Sequence, residues 1–347
     1  MSETTTAPHD TGRLDLAAGH FAGIDLFRGL AAVALVYLHA VGGTAMADSG
    51  TFARVVVPFF SASAVMFAFL SGRKAGRSAG RYVGQRALRI LLPYVAWSAV
   101  YLAFRYGGSA ALGGPPPEPK WQWLISGLSH HLWFLPYIFL ATSAAFLITR
   151  WCYRPGGSAA VVGVLLVGAG VASAVLPPPW VARKLGYPAV LSYETLPAAC
   201  WTLGVLFLWQ GLRGIELRRR PVAVVSWPVL IAGMGWLVWC GRAIPLENVL
   251  GLAALGAALC GGAGAGWAGW AKLGAWAYGI YLAHVLFVEG FQDVADKLGL
   301  NESWGVTLGV FVLALLASLA VCAALSYWRW GWTLGVPQRA GAGGKAG

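Results

Sequence analysis

The most constraining feature of this chain is a succession of apolar stretches, each about as long as a bilayer crossing. Ten of them can be marked, at roughly 24–43, 51–71, 88–106, 130–150, 158–176, 193–212, 222–241, 246–266, 273–291 and 304–328. Each comes near the ~20 residues that a helix needs to span the hydrocarbon core. Composition agrees. Hydrophobic residues make up 58% of the 347 and charged residues only 11%, against roughly 25% charged in a soluble domain. So little charge cannot cover a water-facing surface, which excludes a soluble enzyme. The expected fold is all-α: a polytopic integral membrane helix bundle of about 10 transmembrane helices. The Gly/Ala-rich stretch 251–269 is the weakest of these signals, although membrane helices accept glycine at close contacts.

The loops give an orientation. Arg73, Lys74, Arg77, Arg81, Arg86 and Arg89 cluster between the second and third spans. Arg150 and Arg154 follow the fourth, and Arg213, Arg218, Arg219 and Arg220 lie between the sixth and seventh. With alternating spans all three loops fall on one side, which the positive-inside rule makes cytoplasmic. Both termini are then cytoplasmic. The net charge of +12 reads as this loop bias, and no nucleic-acid partner is expected. The Pro-rich loop 113–119, the 177–192 loop and the acidic turn with Asp293, Asp296 and Glu302 fall on the other side. Residues 1–20 read as a polar cytoplasmic lead, 21–330 as the transmembrane domain, and 331–347 as a disordered cytoplasmic Gly/Ala tail. The first apolar run has no evident cleavage site and reads as a retained span.

Several chemistries find no motif. Cys152, Cys200, Cys240, Cys260 and Cys322 form no CxxC pair, so they read as packing residues, not as a zinc or disulfide framework. HxH and HExxH spacings are missing, and no metal is expected. Phosphate-cradling glycine loops and nucleophile elbows are missing too.

The informative residues are ionisable groups inside spans, where charge is costly. Arg28 and His39 both lie in the first span, 11 residues apart. In a helix that spacing gives a rise of ~16 Å and a net rotation of ~20°, so the two side chains share one face. A polar stripe on one face points to the bundle interior. Arg28 alone could snorkel to the interface or pair with Asp25 at i,i+3, and His39 could be a neutral histidine bonded to another helix. His284 falls in the ninth span, with Glu289 five residues on. His130 and His131 open the fourth span beside Trp133 and Phe134, which also fits an aromatic interfacial belt. Glu194 starts the sixth span.

Three segments, in order along nearly the whole chain, resemble the acyltransferase-3 family of membrane O-acyltransferases. They are Ile24-Asp25-x-x-Arg28-Gly29-Leu30-Ala31 followed by His39, the run Arg86-x-x-Arg89 leading into Leu92-Pro93-Tyr94, and Tyr278-Gly279-Ile280-Tyr281-Leu282-x-His284. His131-Leu132-Trp133-Phe134-Leu135 is a softer match. The resemblance implies transfer of an acyl group, often acetyl, from cytoplasmic acyl-CoA to a hydroxyl of a polysaccharide, a lipid-linked sugar or a macrolide natural product. The expected co-substrate is therefore acetyl-CoA or another acyl-CoA. The expected location is the cell (inner, cytoplasmic) membrane, as a multi-pass protein. Some family members carry an esterase-like domain after the helices, and this chain is expected to be the form without one.

The residue chemistry suits that reading. CoA is a polyanion, and Arg binds phosphates bidentately while staying charged. Arg86 and Arg89 are candidates to dock its nucleotide end at the membrane surface. Arg28 is a candidate to hold the pantetheine arm or a phosphate on the way in. Neutral imidazole can take the proton of an attacking hydroxyl, so His39, with Arg28, is the expected catalytic pair. A covalent acyl-His39 is the rival route. His284, His131 and Glu194 are candidate acceptor contacts, His284 alternatively a partner that supports the site. Two other classes compete. A transporter or flippase of a lipid-linked glycan also needs a polar interior path, but it could show paired broken helices or an internal repeat, and neither is evident. The separate family of membrane-bound O-acyltransferases shares the chemistry but fits the first-helix Arg–His pair poorly.

Overall fold

The computed structural model describes residues 21–42, 66, 70–71, 74, 77–112, 115, 118, 129, 131–132, 134–152, 219–240, 244–260, 268–300 and 303–327. Seven helices run through them: α1 (Ala22–Gly42), α2 (Ala79–Leu112), α3 (Phe134–Cys152), α4 (Arg219–Cys240), α5 (Ile244–Cys260), α6 (Ala268–Lys297) and α7 (Trp304–Tyr327). The described residues are helical with connecting turns and contain no strand. Lipid demands this, because a helix satisfies its backbone polar groups internally where no water can. α1, α2, α3 and α7 are each long and apolar enough to cross a bilayer. The chain is thus a multi-pass helical membrane protein.

Seven of the ten expected spans coincide with these helices. Those at 51–71, 158–176 and 193–212 lie largely or wholly outside the described residues. Two helices exceed their apolar runs. α2 begins nine residues before position 88, and α6 extends beyond 273–291 at both ends. The added turns hold Arg81, Gln85 and Arg86 in α2 and Gln292, Asp293 and Lys297 in α6. Such residues end a hydropathy signal without ending a helix, since Arg, Gln and Lys are good helix formers.

Among the described helices α1 and α6 make the most extensive pair, with α7 packed on both. They run in the same direction: Gly274 lies on the backbone of Asp25, and Gln292 donates to the Ala40 carbonyl further along. The pairing is close because Gly274 has no side chain. A Cβ there would meet the Asp25 carbonyl, and one at Gly23 would meet the backbone of Ala258 on α5. Membrane helices associate through such small-residue contacts, since apolar burial gives little drive in lipid.

α2 and α3 are antiparallel. Arg86 reaches Thr142 at 3.3 Å, and Arg150 donates to the Arg77 carbonyl at 2.6 Å. Tyr82 stacks on Phe146, 4.0 Å between ring centroids. α6 ends in a Schellman turn, with Gly299 at φ +65° and Leu300 N–H bonded to the Ala295 carbonyl, a backbone conformation only glycine adopts readily. Ser303 then caps α7 by accepting from Val306 N–H at 3.3 Å. α7 packs on α6 and α1, where Phe311 meets Tyr37 of α1 edge-on at 5.5 Å.

Candidate functional site

Three histidines converge between α1, α6 and the turn that precedes α3. His39 lies in the last turn of α1. Its ring centroid is 5.0 Å from that of His284 and 6.2 Å from that of His131, and the latter two are 5.2 Å apart. His284 is fully buried and His131 nearly so. The interfacial-belt alternative for His131 therefore gives way to an interior position. Leu132 N–H bonds the Ser129 carbonyl at 3.0 Å, next to His131. Glu194 and His130 lie outside the described residues.

Each ring is held from a named direction. Nδ1 of His284 lies 3.1 Å from the Ile280 carbonyl and 2.8 Å from that of Tyr281. Carbonyls only accept, so these bonds put a proton on Nδ1, which in the neutral form of the ring makes Nε2 the acceptor. Nδ1 of His131 meets Ser129 Oγ at 2.9 Å. Tyr281 donates its hydroxyl to the His131 carbonyl, which ties the turn before α3 to α6. Tyr101, from α2, packs its ring 5.3 Å from that of His131. Its hydroxyl donates to the Leu282 carbonyl at 3.0 Å and accepts from Leu286 N–H at 3.1 Å.

A cationic group gathers toward the other end of the same helices. Arg28 of α1 and Arg89 of α2 lie within electrostatic reach of Arg86, as do the hydroxyls of Tyr82 and Tyr278. Arg86 is half-buried and Arg89 exposed. Arg28 pairs with Asp25 at 3.2 Å across one helical turn, the i,i+3 partner expected. Thr142, which accepts from Arg86 Nε, donates its own hydroxyl to the Ile138 carbonyl at 2.6 Å. Pro93 leaves α2 without one backbone donor, and Tyr278 donates to the adjacent Ile90 carbonyl at 3.3 Å, which fixes the α2–α6 spacing beside the arginines. With Asp25 the carboxylate of this group among the described residues, its net charge is positive.

On α1, Arg28 thus lies with the cationic group and His39, eleven residues on, with the histidine cluster. Arg86, Arg89, His131 and His284 join them from other elements. Among the described residues no group of three or more His, Cys, Asp or Glu side chains is arranged to hold a metal ion. Sequence reasoning missed Tyr101, Ser129 and Thr142, and it read Tyr281 only as part of a motif. A tyrosine in an apolar helix carries no local mark of its partner, and Tyr101 finds its own 181 residues away.

The fold and the site define a class: a multi-pass membrane protein whose helices carry cationic groups at one end and a buried histidine cluster toward the other. The sequence model of the acyltransferase-3 family, described as an acyltransferase domain, matches residues 21–327. The chain belongs to that family and is a membrane acyltransferase. Comparison with curated proteins and with solved structures gives no match.

Proposed function

We propose that this protein moves an acyl group, acetyl in the first instance, from acyl-CoA on the cytoplasmic side to a hydroxyl of a sugar, polysaccharide or natural-product acceptor. The observation that carries the reading is the line from the Arg28/Arg86/Arg89 group to the His39/His131/His284 cluster, about 16 Å long along α1. A polyphosphate nucleotide with a long thioester arm matches such a line. Its phosphates meet planar, permanently charged guanidinium groups at one end, and its thioester extends toward imidazoles at the other.

In this mechanism Arg86 and Arg89 receive the nucleotide phosphates and Arg28 the inner part of the donor. His39 accepts the proton of the acceptor hydroxyl as that oxygen attacks the thioester carbonyl. The C–S bond then breaks, the CoA thiolate leaves and takes up a proton, and the ester stays on the acceptor. In its neutral form His284, with its proton on Nδ1, has Nε2 as an acceptor, 5.0 Å from His39 between ring centroids. The cluster lies near the end of α1 opposite the arginines, so donor and acceptor can approach from opposite faces of the cell membrane.

The test is release of free CoA thiol by purified protein given acetyl-CoA and a panel of hydroxyl acceptors. Acceptor-dependent release is the expected result. A protein that neither consumes acetyl-CoA nor frees its thiol with any acceptor class would overturn the reading in favour of transport.

A further inference from the structure

One hydrogen-bond arrangement lies outside the mechanism just given. The Tyr101 hydroxyl bonds the Leu282 carbonyl and the Leu286 N–H, 3.0 and 3.1 Å away. Those are the two groups that an undisturbed α-helix pairs with each other, i to i+4. A side chain from another helix thus clamps one rung of the α6 ladder, and α6 runs unbroken from Ala268 to Lys297 around it. His284 lies between the two backbone groups in sequence, and its own Nδ1 is turned back onto the Ile280 and Tyr281 carbonyls of the same turn. Tyr101 is fully buried, and its ring also packs against His131 at 5.3 Å. One residue therefore touches the backbone turn of one cluster histidine and the ring of another.

We infer that Tyr101 is a positioning residue: through the Leu282–Leu286 rung it sets the turn of α6 that aims His284 at His39, and through its ring it holds His131. The inference rests on the acyl-transfer reading for its kinetic consequence, but not for its structural one. The ring alone would be satisfied by phenylalanine. The hydroxyl bridge would not, and a misplaced group of about 1 Å can cost on the order of a hundredfold in rate.

The test is Tyr101→Phe, which keeps the packing and removes only the bridge. Two readouts are taken on the purified full chain. The first is the 15N spectrum of histidine-labelled protein, with the His284 signals identified by their loss in His284→Asn. These signals should move in Tyr101→Phe, and an unchanged spectrum overturns the inference whatever reaction the protein performs. The second is acyl-transfer kinetics. The expected result is kcat lowered ten- to a hundredfold with KM for acetyl-CoA unchanged. In a His284→Asn background the same change should cost little more, because both act through one group. Full additivity of the two losses, or a rise in donor KM alone, overturns it. A wild-type chain without acyl transfer sinks the functional reading instead and leaves the spectrum to decide on Tyr101.

Discussion

Gly274→Ala is the smallest change that should damage the site without touching it. An added Cβ would sit 2.6 Å from the Asp25 carbonyl carbon and 2.9 Å from its Cα, where ordinary contact is 3.4–4 Å. Both atoms are backbone, so no side chain can swing aside. α1 and α6 must part by about 1 Å, and forced overpacking of this kind costs about 1–3 kcal/mol. The separation is carried along two stiff helices to the His39–His284 pair, ten residues further on α6. A shift of that size is worth on the order of a hundredfold in rate. Gly290→Ala on the same helix is the control. A Cβ there meets nothing within 4 Å, so the substitution should be neutral or stabilise by about 0.4–1 kcal/mol. Thermal unfolding in detergent and acyl transfer by each variant give the comparison. Equal behaviour of the two variants, or a Gly274→Ala protein as stable and active as wild type, refutes the close-approach argument.

Arg86→Lys should raise KM for acetyl-CoA about tenfold or more while kcat changes little, because an ammonium cannot reproduce the planar fork. Steady-state kinetics in varied donor separate the two constants. Thr142→Val removes the hydroxyl that meets Arg86 Nε and should weaken donor binding by a smaller factor, about 1 kcal/mol for one hydrogen bond; a donor titration reads it. His284→Asn should lower kcat on the order of tenfold or more with donor KM retained, and a pure KM effect would contradict its place in the cluster. Arg150→Ala, which removes an exposed bond to the Arg77 carbonyl, should shift unfolding by less than about 0.5 kcal/mol.

Much of the fold was legible because the bilayer sets one length scale. α1, α3 and α7 begin and end within a few residues of their apolar runs. The Gly/Ala-rich stretch 251–269 carries the weakest signal; its part up to Cys260 is helical, within Ile244–Cys260, and 261–267 lie outside the described residues. Gly256 within it is a contact, not a break: a Cβ there would meet Ser226 of α4. The overrun of α2 and α6 was not legible, since hydropathy measures residence in lipid and not helicity.

For the site, the Arg28–His39 register followed from helical geometry alone. That His284 belongs beside His39 did not, because no periodicity links residues on different helices. His131 was the hardest: beside Trp133 and Phe134 it reads equally as an interfacial residue, and only its burial against His39 and His284 resolves the choice. The tyrosine hydroxyls were invisible for the same reason, each depending on a partner far along the chain.

A single-turnover experiment reaches the core of the account most directly. Purified wild type and His39→Ala are each mixed with radiolabelled acetyl-CoA and an accepted hydroxyl compound, and ester formation is followed in time. If the imidazole on α1 takes the hydroxyl proton, transfer in the variant slows by roughly 10²–10⁴-fold while donor binding persists. Ester formation at the wild-type rate without that imidazole would contradict the account.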